Sequence, residues 1–352
     1  MDKKVSIIVP NYNNGPFLEQ CLDSLIRQTY HNIEIICVDG GSTDQSKDIF
    51  QKYQSLDERI RYLEVLQQSV SVSRNAGLSE ATGDYVMFVD ADDWTDERTV
   101  EKALSVMEQE QADIVMWSYV REFKDHSLEK KIFDFDYRVF EKEQVQEKIH
   151  RRFIGLIGEE LAHVESADAL CPVWGKLYKR ELITKHDISF VDIREIGTYE
   201  DGMFNLFVTG YAQKIVYMQE YFYHYRKDNV ASITSSYKPE LFSQWQKLFQ
   251  IMKEYIKMHH LPAQYEIARK NRIALSLLGQ GLNLMAGNLS KAEKMEKIRA
   301  ILALPQYQEA YEQLDYSYFP LHWKIFYTAG KKQNARRVYL LLSIIQKKIG
   351  SG

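Results

Sequence analysis

The 352-residue chain is short of several things, and each shortage excludes a class of protein. It has three cysteines, Cys21, Cys37 and Cys171, scattered, odd in number and without a Cys-x-x-Cys pair. That excludes a disulfide framework and a cysteine-ligated zinc site, and it suits a reducing cytoplasm. Cys37 lies inside an apolar run and reads as a small core residue. No basic surplus exists, since 45 Lys and Arg stand against 49 Asp and Glu. Nucleic acid as a partner is therefore set aside, because it calls for an excess of cations to neutralise phosphates. No window reaches the roughly 20 apolar residues of a membrane-spanning helix. The opening MDKKVSIIVP lacks the long apolar stretch and cleavage site of a signal peptide. A Gly-x-Gly-x-x-Gly turn after the first strand would mark a nicotinamide enzyme, but the turn here is Asn11-Tyr12-Asn13-Asn14-Gly15-Pro16. A Gly-rich first loop carrying Arg or Lys, expected of a nucleotidyltransferase that makes sugar nucleotides, is missing as well.

What is present is enough for a real core, with 45% apolar residues and no low-complexity half. Val5 to Val9, Ile33 to Val38 and Tyr85 to Val89 are short continuous apolar runs, the mark of strands buried on both faces. A third strand is expected near Ile60 to Leu66 and another over Ala112 to Val120. Helical spacing lies between them, with Phe17, Leu18, Cys21, Leu22 and Leu25 on one face and a small-residue helix over Ser71 to Ala81. Alternation of this kind predicts an α/β fold with a mostly parallel sheet flanked by helices. Each polar turn follows a strand, so the turns converge on the carboxyl edge of the sheet, where open α/β sheets bind ligands. Lys124 to Arg138 reads as an irregular or hairpin insertion, Glu141 to Gly158 as helix, and Lys214 to Tyr217 as strand. From Pro239 onward the pattern is helical. The expected division is a domain over 1–235, in halves 1–115 and 116–235, and a helical domain over 236–352.

Asp90-Ala91-Asp92 is the sharpest local signal. Two carboxylates at i and i+2 beyond a buried strand can hold a hard divalent ion, Mn²⁺ or Mg²⁺, with positions left for diphosphate oxygens. The same residues also suit an acidic turn capping the helix after Trp94. Asp39, at the end of the second strand and backed by two glycines, can accept from a nucleobase or ribose; the turn equally offers Ser42 or Thr43 as a helix cap. Arg74 opens a helix, where a cation can face phosphate or make a surface ion pair. Glu200-Asp201 precedes an apolar helix. One carboxylate there suffices as a general base, and an acidic first turn is also favoured by the helix dipole. His224, in Tyr221-Phe222-Tyr223-His224-Tyr225-Arg226, is a packed strand histidine or, more weakly, a metal or diphosphate contact.

Six segments in order resemble the GT-A fold, inverting glycosyltransferases of family 2: SIIVPNYNN at 6–14, ICVDGGSTDQS at 36–46, SVSRNAG at 71–77, ATGDYVMFVDADDW at 81–94, WGKLYKREL at 174–182 and YEDGMFN at 199–205. The resemblance covers about the first 230 residues. It implies that Pro10, Tyr12 and Asn13 frame the base of a nucleotide, that Asp39 contacts uracil or ribose, and that Arg74 lies near the donor diphosphate. Asp90, with Ala91, would touch ribose or sugar, and Asp92 would hold the metal. Asp201 would be the base supported by Glu200, while Trp174 and Lys176 approach donor and acceptor. The donor implied is a UDP-sugar and the acceptor a glycan or a lipid-linked glycan, as in bacterial capsule and surface-polysaccharide assembly. Two positions differ: many members carry two acids where Asp39-Gly40 stands, and glycine where Ser69 stands.

Beyond about 236 lies a helical region suited to positioning an acceptor. Its tail, 331–349, places Lys331, Lys332, Arg336, Arg337, Lys347 and Lys348 around Val338, Leu340, Leu341, Leu342, Ile344 and Ile345. Such a helix can lie on an anionic bilayer, at the inner face of the cell membrane, or pack on the body of the protein. The non-enzyme alternative is a degenerate partner subunit of another transferase, against which the presence of Asp92 and Asp201 argues.

Overall fold

β-Branched runs that need cover on both faces build the first sheet half. In the computed structural model, which describes residues 3–66, 69–229 and 237–349, strand β1 (Val5–Asn11) lies between β2 (Ile33–Asp39) and β4 (Tyr85–Phe88), and β2 carries β3 (Ile60–Glu64). These four strands are parallel, as the alternation predicts. Helices α1 (Gly15–Ile26), α2 (Ser46–Leu56) and α3 (Val70–Glu80) are the crossovers. Gly77 lets α3 sit directly on β1: a Cβ there would lie 2.4 Å from Ile8 Cγ2. Because α3 starts at the carboxyl edge, its early residue Arg74 stays there.

Beyond β4 the sheet becomes mixed. The order continues through β9 (Lys176–Lys179), β6 (Ile114–Glu122), β10 (Lys214–Arg226) and β5 (Trp94–Thr95). β9 is antiparallel to both β4 and β6, whereas β10 is parallel to β6. A strand of four residues gives no periodic signal, which is why alternation alone shows only the parallel part. The insertion after β6 is a hairpin partner, β7 (Ser127–Lys130), and β8 (Tyr137–Glu141) pairs with β10. Helix α4 (Thr99–Glu110) leads into β6. Across the edge opposite the turns, buried Glu34 accepts from the Ser6 and Thr82 hydroxyls, the Thr82 N–H and the Lys4 ammonium. Although burial opposes its charge, these bonds hold its carboxyl down to about 2.

The chain divides into two units. The sheet unit takes Met1–His150, Ala169–Arg194 and Tyr199–Ala231; the helical unit takes Arg151–Asp168, Glu195–Thr198 and Ser232–Gly352. The boundary expected at 235/236 lies outside the described residues. The helical expectation for 141–158 resolves into short turns, Lys142–Gln144, a π-helical Val145–His150 and Arg151–Ile154. At Gly155 a Cβ would fall 2.1 Å from the Ala268 carbonyl, so the chain must run against backbone there.

With α5 (Arg180–Lys185) and α6 (Glu200–Thr209) completing the sheet unit, the helical unit consists mainly of α7 (Leu241–Met258), α8 (Ala263–Ala286), α9 (Lys291–Ala303), α10 (Pro305–Gln313), α11 (Leu321–Lys331) and α12 (Ala335–Ile349). Its core joins Leu277, Ile298, Leu302, Tyr307, Tyr311, Tyr327, Val338 and Leu342. Helix α12 packs one face through Ala335, Val338 and Leu342, and Gly281 of α8 lies against Leu342. Its other face, Arg336, Arg337, Leu340, Ile344 and Lys347, is exposed. Among the described residues no helix is long and apolar enough to cross a membrane, and the three cysteines are buried and unpaired with one another.

Candidate active site

Register brings the first two turns together, because Asn11 at the end of β1 pairs with Asp39 at the end of β2. Asp39 is buried and accepts from Asn11 Nδ2 at 2.8 Å, the Ser42 hydroxyl, and the Ser42 N–H at 3.1 Å. Asn13, at a left-handed φ of 54°, crosses to the same turn: its N–H donates to Ser42 Oγ and its Oδ1 accepts from the Thr43 N–H, both at 2.8 Å. Gly41, at φ +81°, closes that turn. Pro10 is buried within β1, and Tyr12 is exposed. Asp39 is thus the fixed centre of a small polar shelf.

Sixteen residues before Asp90 in sequence, Arg74 is only 3% exposed and joins three carboxylates from two places in the chain. Its Nη2 donates to Asp90 Oδ1 at 2.9 Å, its Nη1 donates to Asp201 Oδ1 at 2.6 Å, and Glu200 Oε1 lies 3.5 Å from Nη1. Burial works against the guanidinium charge, but Asp201, Asp90 and Glu200 together raise its pKa further. Its π-face neighbour is Phe190, 5.4 Å away. For Asp201, burial dominates and pushes the carboxyl up to about 7; Arg74 opposes this, and Glu200 and Asp90 add to it. The Val173 N–H donates to the second oxygen, Oδ2, at 3.2 Å. Tyr199 precedes α6 in the left-handed region, φ 78°, and folds its ring over Gly202, where a Cβ would meet it at 2.4 Å. That constraint aims the first turn, and hence Glu200 and Asp201, at Arg74.

The acid turn Asp90-Ala91-Asp92-Asp93 is held from β10. Asp93, buried, accepts from the Tyr223 hydroxyl at 2.6 Å and the Arg226 N–H at 2.8 Å. The same Tyr223 oxygen accepts from the Asp90 N–H at 3.2 Å, and Ala91 is buried beneath. Asp92 Oδ2 accepts from Asn229 Nδ2 at 2.9 Å and its carbonyl accepts from Arg226 Nε at 2.8 Å. Burial first, and Asp90 next, raise the Asp92 carboxyl above its ordinary value. His224 points to the other face of β10, stacked on Trp94 at 5.1 Å with Nδ1 2.7 Å from Glu122 Oε1. That engagement fits the packed strand histidine. Among the described residues no cluster of three His, Cys, Asp or Glu side chains stands at metal-ligand spacing.

Lys176 is buried, and its ammonium donates to the carbonyls of Leu170, at 3.0 Å, and Pro172. Burial lowers its pKa to about 8. The structure therefore places Lys176 as a tie for the 170–173 loop rather than at an open ligand surface. Asn205 of α6 holds the same loop, donating to the Cys171 carbonyl at 2.8 Å. Ser69, where glycine was the alternative, is buried and donates to Asp192 Oδ1 at 3.0 Å.

Residues 6–157 match the family described as Glycosyl transferase family 2. The putative glycosyltransferase EpsH of Bacillus subtilis is 30% identical over 311 residues, covering 87% of this chain and 85% of EpsH. The chain belongs to glycosyl transferase family 2. It is a transferase with a mixed α/β GT-A fold and a helical C-terminal part. Glycosyltransferase GlyA of Streptococcus pneumoniae is 36% identical over 232 residues, 64% of this chain but only 31% of GlyA. The crystal structure of Staphylococcus aureus TarS 1–349 in complex with UDP-GlcNAc shares the fold, with a TM-score of 0.70 at 17% identity over 98% of this chain and 92% of that one.

Sequence reasoning missed the groups that hold this transferase's acids in place. Asn11, Ser42 and Asp93 lie inside the family segments but had no holding role assigned, and Tyr223, Arg226 and Asn229 lie outside them; all six make the bonds described above. The signal for Tyr223 was the alternation in Tyr221 to Arg226, which sets Tyr223 and Tyr225 on one face and His224 and Arg226 on the other. Replacing Arg74 by Met should destabilise the protein by about 3–5 kcal/mol at pH 8, since three carboxylates lose their cation. The deficit should shrink at pH 5, where the Asp201 carboxyl, raised to about 7, takes up its proton; urea unfolding at both pH values measures it, and an equal deficit would assign the loss to packing instead.

Proposed function

We propose that this family 2 transferase inverts: it takes a hexose or N-acetylhexosamine from a UDP-sugar and passes it, in one displacement, to a hydroxyl of a glycan or lipid-linked acceptor. The observation that carries this reading is the single guanidinium of Arg74 joining Asp90, beyond β4, to Asp201, at the start of α6. It sets the donor-side acid and the acceptor-side base at one carboxyl edge. Asp201, as the carboxylate, takes the acceptor hydroxyl proton as that oxygen attacks the anomeric carbon. Glu200 raises the basicity of Asp201, and the Val173 N–H with Asn205 fixes the loop opposite. The shelf around Asp39 would take the uracil and ribose. N-Acetylglucosamine is the first sugar to screen, since TarS, a poly(ribitol-phosphate) β-N-acetylglucosaminyltransferase, is 26% identical over 81% of this chain.

The acid turn fits a divalent ion. Asp92 is a carboxylate whose charge is disfavoured by burial and by Asp90, so a cation beside it relieves both. Asp90 already gives one oxygen to Arg74, which leaves Asp92 the main ligand. One or two carboxylates with substrate oxygens and water are what Mg²⁺ accepts, and Mn²⁺ suits the same oxygen set. When bound, such an ion neutralises charge on the leaving diphosphate. The exposed stripe of α12, Arg336, Arg337, Leu340, Ile344 and Lys347, is the part proposed to meet an anionic membrane near a lipid-linked acceptor.

Calorimetric titration should show UDP binding that needs Mn²⁺ or Mg²⁺, is lost in Asp92→Ala and is kept in Asp201→Asn. Transfer from a UDP-sugar should fall about 10²–10⁴-fold in Asp201→Asn. No UDP binding under any condition would favour the degenerate-partner reading. Replacing Arg336 and Arg337 by Glu should weaken binding to anionic vesicles, and unchanged binding would refute the membrane contact.

A further inference from the structure

Beside the acid turn the core of the sheet unit ends in an aromatic rim. Along β6, Trp117, Tyr119 and Arg121 alternate onto one face, and register sets Tyr223 and Tyr225 of β10 beside Tyr119 and Arg121. Trp174 lies flat on Tyr223, centroids 4.4 Å apart and planes within 2°. Tyr119 meets Trp174 edge-on at 4.9 Å, and Tyr225 stands 5.5 Å from Trp174. Trp117, Trp174 and Tyr223 are buried, whereas Tyr119 and Tyr225 are half-buried, so their rings form the outer surface of the cluster.

Two cations stand just past these rings. The Arg121 guanidinium lies 5.9 Å from the Tyr119 ring and donates to its hydroxyl at 3.3 Å, and the Lys227 ammonium lies 4.8 Å from the Tyr225 ring. They are close enough that, after burial, Arg121 is the main cause lowering the Lys227 pKa. Lys130 of β7 pairs across from Tyr119 on the same face. Among the described residues neither Arg121 nor Lys227 has a carboxylate partner, and Arg121 Nε is buried without an acceptor. The nearby acids offset this only in part: Asp93 favours the Lys227 charge, yet burial and Arg121 still lower its pKa. Glu122 alternates to the opposite face, where it takes His224 Nδ1 and the Ser127 hydroxyl. Asp93, the nearest acid of the turn, already accepts from Tyr223 and Arg226. Like charges held together cost free energy, and an anion between them removes that cost.

We propose that this rim is an acceptor subsite for a sugar bearing an anionic group, phosphate or carboxylate: the ring lies on Tyr119 and Tyr225, and the anion meets Arg121 and Lys227. The word acceptor rests on the transferase reading above; the anion site itself rests on the geometry alone. The distinction matters for specificity, because charged donors aimed at one point reject an uncharged analogue that leaves them unpaired.

The test titrates full-length protein, already saturated with UDP and Mn²⁺, with N-acetylglucosamine 6-phosphate, N-acetylglucosamine, galacturonate and galactose. At least one charged sugar should bind about 10-fold or more tightly than its neutral counterpart. That preference should fall between 50 and 500 mM NaCl and vanish in the Arg121→Gln, Lys227→Gln double variant, whose thermal midpoint and UDP affinity should match wild type. Which charged sugar is preferred tells phosphate from carboxylate. Equal binding of charged and neutral sugars, or a preference that survives the double variant, overturns the subsite. UDP affinity that drops 10-fold in the double variant reassigns the cations to the donor diphosphate and overturns it too. Failure of UDP to bind the wild type counts instead against the transferase reading, because the sugar titrations can be repeated without UDP.

Discussion

The guanidinium of Arg74 is buried, and three carboxylates balance its charge. Asp90 and Asp201 each contribute an oxygen within 2.9 Å, and Glu200 stands behind. An isolated charge at 3% exposure would be untenable, and so would the carboxylates without it. The pairing therefore fixes the distance between two segments that are more than a hundred residues apart in sequence. Most of what surrounds it serves to hold its partners. Tyr199 over Gly202 aims the start of α6, the Val173 N–H takes the second oxygen of Asp201, and Tyr223 pins both Asp90 and Asp93 from β10.

The sheet makes this possible by its order. Parallel strands deliver their following turns to one edge, which sets Asp39, Asp90 and the start of α3 together. A long β10, parallel to β6 and antiparallel to β5, then returns Tyr223 to Arg226 under the acid turn. The register shift between Met218 and Tyr223 lets one strand satisfy both the inner sheet and that edge. Its two faces are used differently. His224 and Arg226 support Trp94 and Asp92, while Tyr223 and Tyr225 face the aromatic rim with Arg121.

Much of the first half was legible in the sequence because continuous β-branched runs separated by helical spacing permit few arrangements. Val5 to Val9, Ile33 to Val38 and Tyr85 to Val89 became β1, β2 and β4 in parallel register, and ordered motifs pointed to the family. β9 escaped notice, since four residues that include a buried lysine carry no period. The site was legible only as a set of acids. That Arg74 binds those acids in the described structure, and that Lys176 ties loop carbonyls, are consequences of three-dimensional proximity that spacing along the chain does not encode. The same holds for Asn11, Ser42 and Tyr223, ordinary polar residues whose importance lies in what they meet.

The central claim is that burial sets the basicity of Asp201 while Arg74 restrains it. The pH dependence of kcat/KM for the acceptor reports the ionisation of the free enzyme, so it tests this most directly. Burial raises Asp201 to about 7, and only its carboxylate can take the proton. Activity should therefore be lost as pH falls through about 7, roughly tenfold for each further pH unit, well above the ordinary aspartate range near 4. In Arg74→Gln, which removes the restraining charge, the same limb should move to higher pH. A wild-type profile that stays flat down to pH 5, or a limb that does not move in the variant, would contradict the account.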